Sequence, residues 1–191
     1  MQRFRSGKPL VIWSTLIAFL TVMVIYLRAQ GRLWIAADGD MHFWIGDAYG
    51  SDNSQHFLDP YSFSHFLHGV IFFFLLRLLF RKFSLQSRFV GAVMLEGCWE
   101  MLENSALIIN RYRDATAALG YSGDTIFNSF GDIFSCSIGF LVARYVGWKW
   151  SVVLFVAIEL FCLWWIKDNL TLNVLMLISP IDAIKEWQIA G

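Results

Sequence analysis

The chain has 191 residues, of which 57% are hydrophobic and 16% charged, and its formal net charge is zero. Soluble domains have roughly a quarter of their residues charged, so this chain has too few charges to cover a water-facing surface. The length allows one domain, and the neutral charge argues against nucleic-acid binding. Three widely spaced cysteines in apolar segments argue against a disulfide framework or a zinc ribbon. The composition indicates an integral membrane protein.

The apolar runs predict an all-α, polytopic membrane helical bundle with about five transmembrane helices, because about 20 apolar residues cross a bilayer. The predicted spans are residues 10–27, 61–80, 89–109, 123–145 and 150–167, with a tight turn at 147–150. Polar outer loops are predicted at 28–60 and 110–122. The first run lacks a small-residue cleavage site and is interpreted as an uncleaved anchor. The tail has a short apolar stretch ending before Pro180, which predicts a C-terminal interfacial or re-entrant segment.

Basic residues lie on one side of this predicted topology, and the acidic residues of the loops lie on the other. The segments of the basic side contain no acidic residue. They hold Arg3, Arg5, Lys8, Arg77, Arg81, Lys82, Arg88, Arg144 and Lys149. Because Lys and Arg concentrate in cytoplasmic segments, we expect a cytoplasmic N-terminus, with both polar loops and the tail facing outward.

Several acidic residues fall inside the predicted helices. A carboxylate at membrane depth is costly unless it is paired, protonated or bound to a metal, so each one is a hypothesis of function. On the third helix Glu96, Glu100 and Glu103 are spaced i, i+4 and i+7, which places them on one face. Glu159 lies in the fifth helix.

Two further helices carry polar residues toward the same depth. Asp124, Asn128 and Asp132 repeat every four residues on the fourth helix, and His65 and His68 lie near the start of the second. At 1.5 Å of rise per residue, the histidines lie roughly 5–10 Å below the outer surface and the buried acids roughly 8–14 Å. We therefore expect one polar layer near the outer face.

Two histidines with several carboxylates form the ligand set of a divalent metal such as zinc with an open coordination position. The predicted metal ligands are His65, His68 and Asp124. The predicted catalytic carboxyl groups, one of them a general base, are Glu100, Glu103 and Asp132. The predicted substrate-binding residues, for a phosphate or other lipid headgroup, are Arg111, Arg113, Asn104 and Asn128.

Simpler interpretations stay open for these residues. The acids can form a buried polar network that fixes helix register, with no chemistry attached. His65 and His68 can sit among headgroups, and Arg111 and Arg113 can anchor the chain at the interface. His42 and His56 lie in a loop, where a histidine is ordinarily solvated, so only the second helix offers histidines and haem is disfavoured.

Three segments resemble a family of multi-pass membrane proteins from alphaproteobacteria that is known only as a domain of unknown function. They are DNSQHFLDPYSFSHFLHG (52–69), EGCWEMLENSALIINRYRDATAALGYSGDTIFNSFGD (96–132) and KDNLTLNVLMLISPIDAIKEWQ (167–188). The resemblance implies a bacterial inner membrane and supplies no activity. Family members carry a Cys-x-Cys in the first loop, where this chain has Ala37, Asp38 and Gly39. A looser, fold-level similarity is to VanZ-like membrane proteins and to alkaline ceramidases.

Together these features predict a membrane enzyme with a periplasm-facing site that acts on a lipid or lipid-linked substrate by metal-assisted hydrolysis or transfer. The alternative is a non-catalytic protein, either an accessory subunit of a membrane complex or a small transporter. The expected partners are membrane lipids, and a homo-oligomer or a larger membrane complex is also compatible with the sequence. A transporter would need acids in the cytoplasmic half of the helices, and that half is apolar.

Overall fold

A computed structural model describes residues 9–117 and 120–190, so Arg3, Arg5 and Lys8 of the orientation argument lie outside the described residues. The described part contains seven helices and no strand, which confirms the all-α prediction. The helices are α1 (Pro9–Ala29), α2 (Ser62–Leu79), α3 (Leu85–Glu103), α4 (Ala106–Ala115), α5 (Ile126–Ile166), α6 (Leu170–Ile178) and α7 (Asp182–Ile189). Three of them, α1, α2 and α5, are long and apolar enough to cross a membrane.

Helix α5 is a hairpin of two helical segments. Its 41 residues would span about 60 Å as one rod, about twice the hydrocarbon thickness of a bilayer. At Gly147 the backbone leaves the helical region, with φ 77° and ψ 176°, a conformation that glycine adopts without a steric penalty. The start of α2 contacts both ends of α5, because Ser62 bonds Asp132 and Phe63 packs on Trp165. The chain therefore reverses at the turn predicted for residues 147–150.

The first segment of α5 runs parallel to α2 and approaches it closely. Gly69 of α2 lies against the Cys136 carbonyl, and Gly139 of α5 lies against the Phe66 carbonyl. A methyl group on either glycine would overlap the facing backbone oxygen. Small residues at helix crossings allow this approach in membrane proteins, where packing rather than hydrophobic burial holds helices together.

Helices α1 and α3 run in the same direction and complete the bundle. Gly97 of α3 packs against Phe19 and Met23 of α1, and the Gln30 side chain donates to the Met101 carbonyl. The directions of α1, α2, α3 and the two segments of α5 agree with the predicted order of crossings. The number of spans stays a prediction.

The structure differs from the sequence prediction at the end of the third helix. The sequence predicts one helix over 89–109, whereas α3 ends at Glu103 and α4 begins at Ala106. The Ser105 side chain accepts a hydrogen bond from the Ile108 backbone and caps the new helix. Much of the predicted outer loop 110–122 is therefore the rest of α4.

The C-terminal tail forms two short helices that pack back onto the bundle. Helix α6 has 9 residues, about 14 Å long, which is too short to cross a bilayer. The Glu159 carboxylate accepts hydrogen bonds from the backbone N–H groups of Leu170 and Thr171. These residues form the N-terminus of α6, where anionic groups are favoured. Glu159 thus holds the tail, although the sequence predicts it in the polar layer.

Candidate metal and catalytic site

The polar ends of α2, α3 and α5 meet in a buried cluster of one histidine and three acids. Glu96 and Glu100 of α3 are fully buried, and His65 of α2 and Asp132 of α5 are at most 6% exposed. The i, i+4 spacing on α3 directs both glutamates toward α2, as the sequence predicts for one helical face. Three helices therefore deliver titratable groups to one point.

Glu96 holds both histidines of α2. Nδ1 of His65 lies 2.5 Å from Oε1 of Glu96, and Nδ1 of His68 lies 3.1 Å from its Oε2. An ionised carboxylate only accepts hydrogen bonds, so each histidine donates through Nδ1. Nε2 of a neutral His65 then carries the lone pair. Carboxylate–histidine pairs of this kind orient metal-binding imidazoles in many proteins.

Among the residues that the structure describes, two groups of side chains could hold a metal ion, and they share His65. The first contains His65, His68 and Glu96, and the second contains His65, Glu100 and Asp132, with ligand atoms within 4.8 Å of one another in each group. A tetrahedral zinc keeps its ligand atoms about 3.4 Å apart at bond lengths near 2.1 Å. The nearest oxygens of Glu100 and Asp132 lie 3.6 and 3.8 Å from the two nitrogens of His65. The distance between Asp132 and Nε2 is therefore near the spacing that a metal needs, whereas Glu100 lies nearest to Nδ1, the nitrogen that Glu96 occupies.

The Glu100 carboxylate lacks hydrogen bonds. Neither of its oxygens has a partner among the described residues, although the side chain is fully buried. Its neighbour Asp132 accepts a hydrogen bond from the Ser62 hydroxyl at 3.2 Å. A buried carboxylate without partners is costly, so Glu100 marks a position where an additional group would bind favourably.

A small polar cavity lies beside the cluster. It measures about 40 Å³, and His65, Glu103, Asp124 and Asp132 are among its lining residues. About 10–15 Å³ of such volume holds one water, so there is room for roughly three waters or a partly hydrated ion. Asp132 and His65 thus face a volume suited to small polar species.

A wider pocket opens on the other side of His65 and Glu103. It measures about 250 Å³, is mostly apolar, and is also lined by His68 and Trp99. The His68 ring stacks on Phe72 and meets Trp99 edge-on. His65 and Glu103 line both cavities, so they separate a polar compartment from an apolar one.

Asp124, a predicted metal ligand, lies in a different network. One carboxylate oxygen accepts from the Asn104 amide and the other from the Tyr121 hydroxyl, both at 2.8 Å. The Asn104 carbonyl in turn accepts the Asp124 backbone N–H at 2.7 Å. Burial nevertheless raises the pKa of Asp124 above its ordinary value. Neither candidate metal group contains Asp124. Both the amide N–H and the carbonyl oxygen of the Asn104 side chain form hydrogen bonds with Asp124.

Asn128, a predicted substrate-binding residue, fastens the first loop to α5. Its amide donates to the His56 carbonyl at 2.7 Å and to the Asp59 carboxylate at 3.3 Å. The same carboxylate accepts the Ser54 backbone N–H, and burial raises its pKa. His56 is 2% exposed, so the expectation of a solvated loop histidine is wrong for it. The loop packs into the bundle instead of extending into solvent.

Arg111 and Arg113, the other predicted substrate-binding residues, donate to backbone carbonyls. Nε of Arg111 donates to Leu177 at 2.8 Å, at the C-terminal end of α6, and Nε of Arg113 donates to Tyr121 at 2.5 Å. Neither arginine lines either of the two cavities. Their role in substrate binding stays a prediction.

The predicted site residues leave out one residue of the cluster and three that line the small cavity. Glu96 lies on the predicted acidic face of α3 and is the shared partner of both histidines, a role that spacing alone does not reveal. Tyr61, Tyr112 and Asp168 line the small cavity, where they are brought by the first loop, by α4 and by the chain after α5. The Tyr61 hydroxyl donates to Asp168 at 3.3 Å, which joins α2 to the chain beyond α5.

Comparison with known proteins identifies the family. Residues 27–190 match the family described as "Protein of unknown function (DUF2585)". The chain is 45% identical over 181 residues to a UPF0314 protein of Sphingopyxis alaskensis, with 95% of each chain covered. It is also 45% identical to UPF0314 proteins of Sinorhizobium fredii, covering 92% of this chain and 91% of the relative, and of Agrobacterium fabrum, covering 88% and 85%. No solved structure matches the chain. The buried His/Glu/Asp cluster thus lies in a member of the DUF2585 family of proteins, to which this chain belongs.

Proposed function

We propose that the protein is a membrane enzyme that uses a divalent metal, held by His65, Glu100 and Asp132, to hydrolyse or transfer a lipid or lipid-linked substrate. The observation that carries this proposal is the Glu100 carboxylate, buried without hydrogen bonds 3.6 Å from His65. Three protein ligands with a position left for another group are typical of catalytic zinc sites.

Each side chain of the cluster has a separate role in this proposal. Glu96 fixes His65 through Nδ1 and leaves Nε2 free to bind. A bound divalent metal would supply a Lewis acid that lowers the pKa of water and polarises a carbonyl or phosphoryl group. Glu103 has one buried oxygen without a partner and lines both cavities, so it is the candidate general base.

The two cavities support a lipid as substrate. The small polar cavity accommodates water, and the wider pocket of about 250 Å³ is mostly apolar, with Phe72, Trp99 and Leu170 among its lining residues. An amphiphilic substrate has its reactive polar group next to an apolar body, which matches a polar compartment beside an apolar one. His65 and Glu103 lie where the two parts of such a substrate would join.

The alternative of an accessory subunit fits the cluster less well. A purely structural network would satisfy all its members, as the hydrogen bonds around Asp124 do. Glu100 departs from that pattern, since none of the described residues donates to either of its oxygens. We further propose a bacterial inner membrane as the location, with the N-terminus in the cytoplasm and the cluster toward the periplasm.

Metal content and thermal melting test the proposal. The full chain is purified in detergent, its metal is measured by elemental analysis, and its melting temperature is recorded with and without a chelator. We expect about one metal ion per chain and a lower melting temperature in chelator. A protein free of metal whose melting ignores both chelator and added zinc would contradict the metal site. A lipid comparison of cells with and without the chain then identifies the substrate class.

A further inference from the structure

The end of the bundle opposite the His65 cluster contains a basic groove. It measures about 680 Å³ and is lined by four arginines from three helices and the turn after α2, together with apolar side chains of α2. We call it the arginine groove, and its cations are Arg77, Arg81, Arg88 and Arg144. None of its lining residues in the described part of the chain is acidic.

The charges of the arginine groove are uncompensated by the protein. Within residues 9–117 and 120–190, none of the four guanidinium groups makes an ion pair or a hydrogen bond. Nε of Arg88 is buried and has no acceptor in that part of the chain. Four like charges around one volume repel each other, and a buried donor without a partner is unfavourable. Both unfavourable contributions are relieved by a bound anion.

An apolar groove continues from the arginine groove along the bundle surface. It measures about 440 Å³, lies between α2 and the second segment of α5, and shares Phe74 and Leu78 with the arginine groove. Ile71 and Val156 line it farther along. The arginine groove and the apolar groove are therefore adjacent. Together they match the shape of an anionic headgroup attached to an acyl chain.

A buried hydroxyl group, that of Ser151, lies along the apolar groove. Ser151 is 2% exposed, lines the apolar groove, and its Oγ has no hydrogen-bond partner among the described residues. An ester carbonyl at the start of an acyl chain accepts one hydrogen bond, which Ser151 can donate.

We propose that the arginine groove and the adjoining apolar groove bind one anionic phospholipid. Its phosphate lies among the guanidinium groups, which pair with phosphate through charge-assisted hydrogen bonds. One acyl chain lies along Ile71 and Val156, with its ester carbonyl near Ser151. This site is separate from the His65 cluster and does not depend on the proposed catalysis. A free phosphate ion offers the same headgroup chemistry without the acyl chain.

Lipid retention by the purified full chain tests the proposal. The wild-type protein is incubated with phosphatidylglycerol, phosphatidylcholine or inorganic phosphate, and bound molecules are counted by native mass spectrometry. We expect one tightly retained phosphatidylglycerol. The double variant R77Q/R144Q should retain it at least tenfold less, while the charge-matched control K82Q/K149Q, exposed outside the groove, should retain it as the wild type does.

Three outcomes would overturn the site as described. An equal loss of phosphatidylglycerol in K82Q/K149Q would show that the lipid is retained by the total positive charge at this end of the bundle and not by the arginine groove. Equal retention of phosphatidylcholine would exclude recognition of an anionic headgroup. Retention of inorganic phosphate as strong as that of phosphatidylglycerol would assign the groove to a free anion. The wild-type comparison of the three probes decides the question even if the arginine variant fails to fold.

Discussion

Glu100 lies 3.6 Å from Nδ1 of His65, and its carboxylate is fully buried without a hydrogen bond from the described residues. The glutamate one turn earlier, Glu96, is equally buried but bonds both histidines. Two acids on the same helical face therefore differ in their hydrogen bonding. Glu96 has its hydrogen-bond partners within the protein, whereas Glu100 is positioned to interact with a group that the chain does not supply.

Replacing Glu100 by glutamine tests this difference. The amide keeps the size of the side chain but loses the charge that a metal ligand needs. We expect the metal content of purified Glu100→Gln to fall at least about tenfold and the effect of chelator on its melting temperature to disappear.

Glu186→Gln is the matched control, because Glu186 is exposed on α7. It should keep the wild-type metal content and chelator response. In chelator, Glu100→Gln should be about as stable as the wild type, since the carboxyl group it replaces has no hydrogen-bond partner among the described residues. A Glu100→Gln protein that keeps its metal would exclude Glu100 as a ligand.

Asn104 is expected to act on stability rather than on metal binding. Asn104→Ala removes two hydrogen bonds to Asp124, one to its carboxylate and one from its backbone N–H. Each buried group left without a partner costs about 1–3 kcal/mol. The melting temperature should therefore drop clearly while the metal content stays at the wild-type level.

Asn110→Ala, at an exposed position on α4, is the control for the Asn104 prediction and should melt like the wild type. Loss of metal in Asn104→Ala at temperatures where the protein is folded would instead connect Asn104 to the site. That result would favour the predicted substrate-binding role over the structural one.

The sequence predicts the cluster because helical periodicity is visible in it. The i, i+4 spacing of Glu96 and Glu100 and the i, i+3 spacing of His65 and His68 place each pair on one face. Periodicity cannot tell which acid pairs with which histidine, since that depends on the rotation of α2 against α3. The shared role of Glu96 is therefore seen only in the structure.

The errors of prediction also have causes that can be named in the structure. The apolar residues Ala106–Ile109 continue the pattern of α3, so the break after Glu103 is invisible until Ser105 is seen to cap a new helix. The sequence predicts a solvated His56, because a histidine in a polar loop is ordinarily exposed to water. In the structure the backbone N–H of His42 bonds its ring nitrogen at 3.1 Å, and Asn128 holds its carbonyl. Such long-range contacts leave no periodic signal.

Asp168 should make stability depend on pH. Burial raises its pKa to about 6, although hydrogen bonds from Asn169 and Tyr61 oppose that shift. A carboxyl whose pKa is higher in the folded state binds its proton more tightly there than in the unfolded chain. The stability it contributes is present below about pH 4 and is lost as the pH rises through about 6.

Asp168→Asn should therefore flatten the melting temperature between pH 4 and pH 7 relative to the wild type. Asp40→Asn, at an exposed loop position, should leave the profile unchanged. An Asp168→Asn profile as steep as that of the wild type would show that another group causes the pH dependence.

The proposed orientation is tested by reporter fusions. A reporter that is active only in the cytoplasm should work when fused after residue 84, between α2 and α3, because that turn follows Arg81 and Lys82. A reporter active only in the periplasm should work after residue 191. The reverse pattern would invert the orientation and move the His65 cluster to the cytoplasmic side.

The crossing of α2 and α5 should be sensitive to a single methyl group. In Gly139→Ala the new Cβ would overlap the Phe66 carbonyl oxygen, which belongs to a helix backbone and cannot rotate away. The helices would have to separate, and overpacking of this kind costs about 1–3 kcal/mol. Separation would also move His65 away from Asp132, because the same two helices carry them. We therefore expect Gly139→Ala to lower both the melting temperature and the metal content.

Gly91→Ala is the matched control, since its Cβ would meet only the Leu76 side chain at 3.6 Å, an ordinary contact. Alanine also favours a helix interior over glycine by about 1 kcal/mol, so this control should melt at or above the wild-type temperature. Equal melting temperatures for the two variants would show that α2 and α5 are not packed as closely as described.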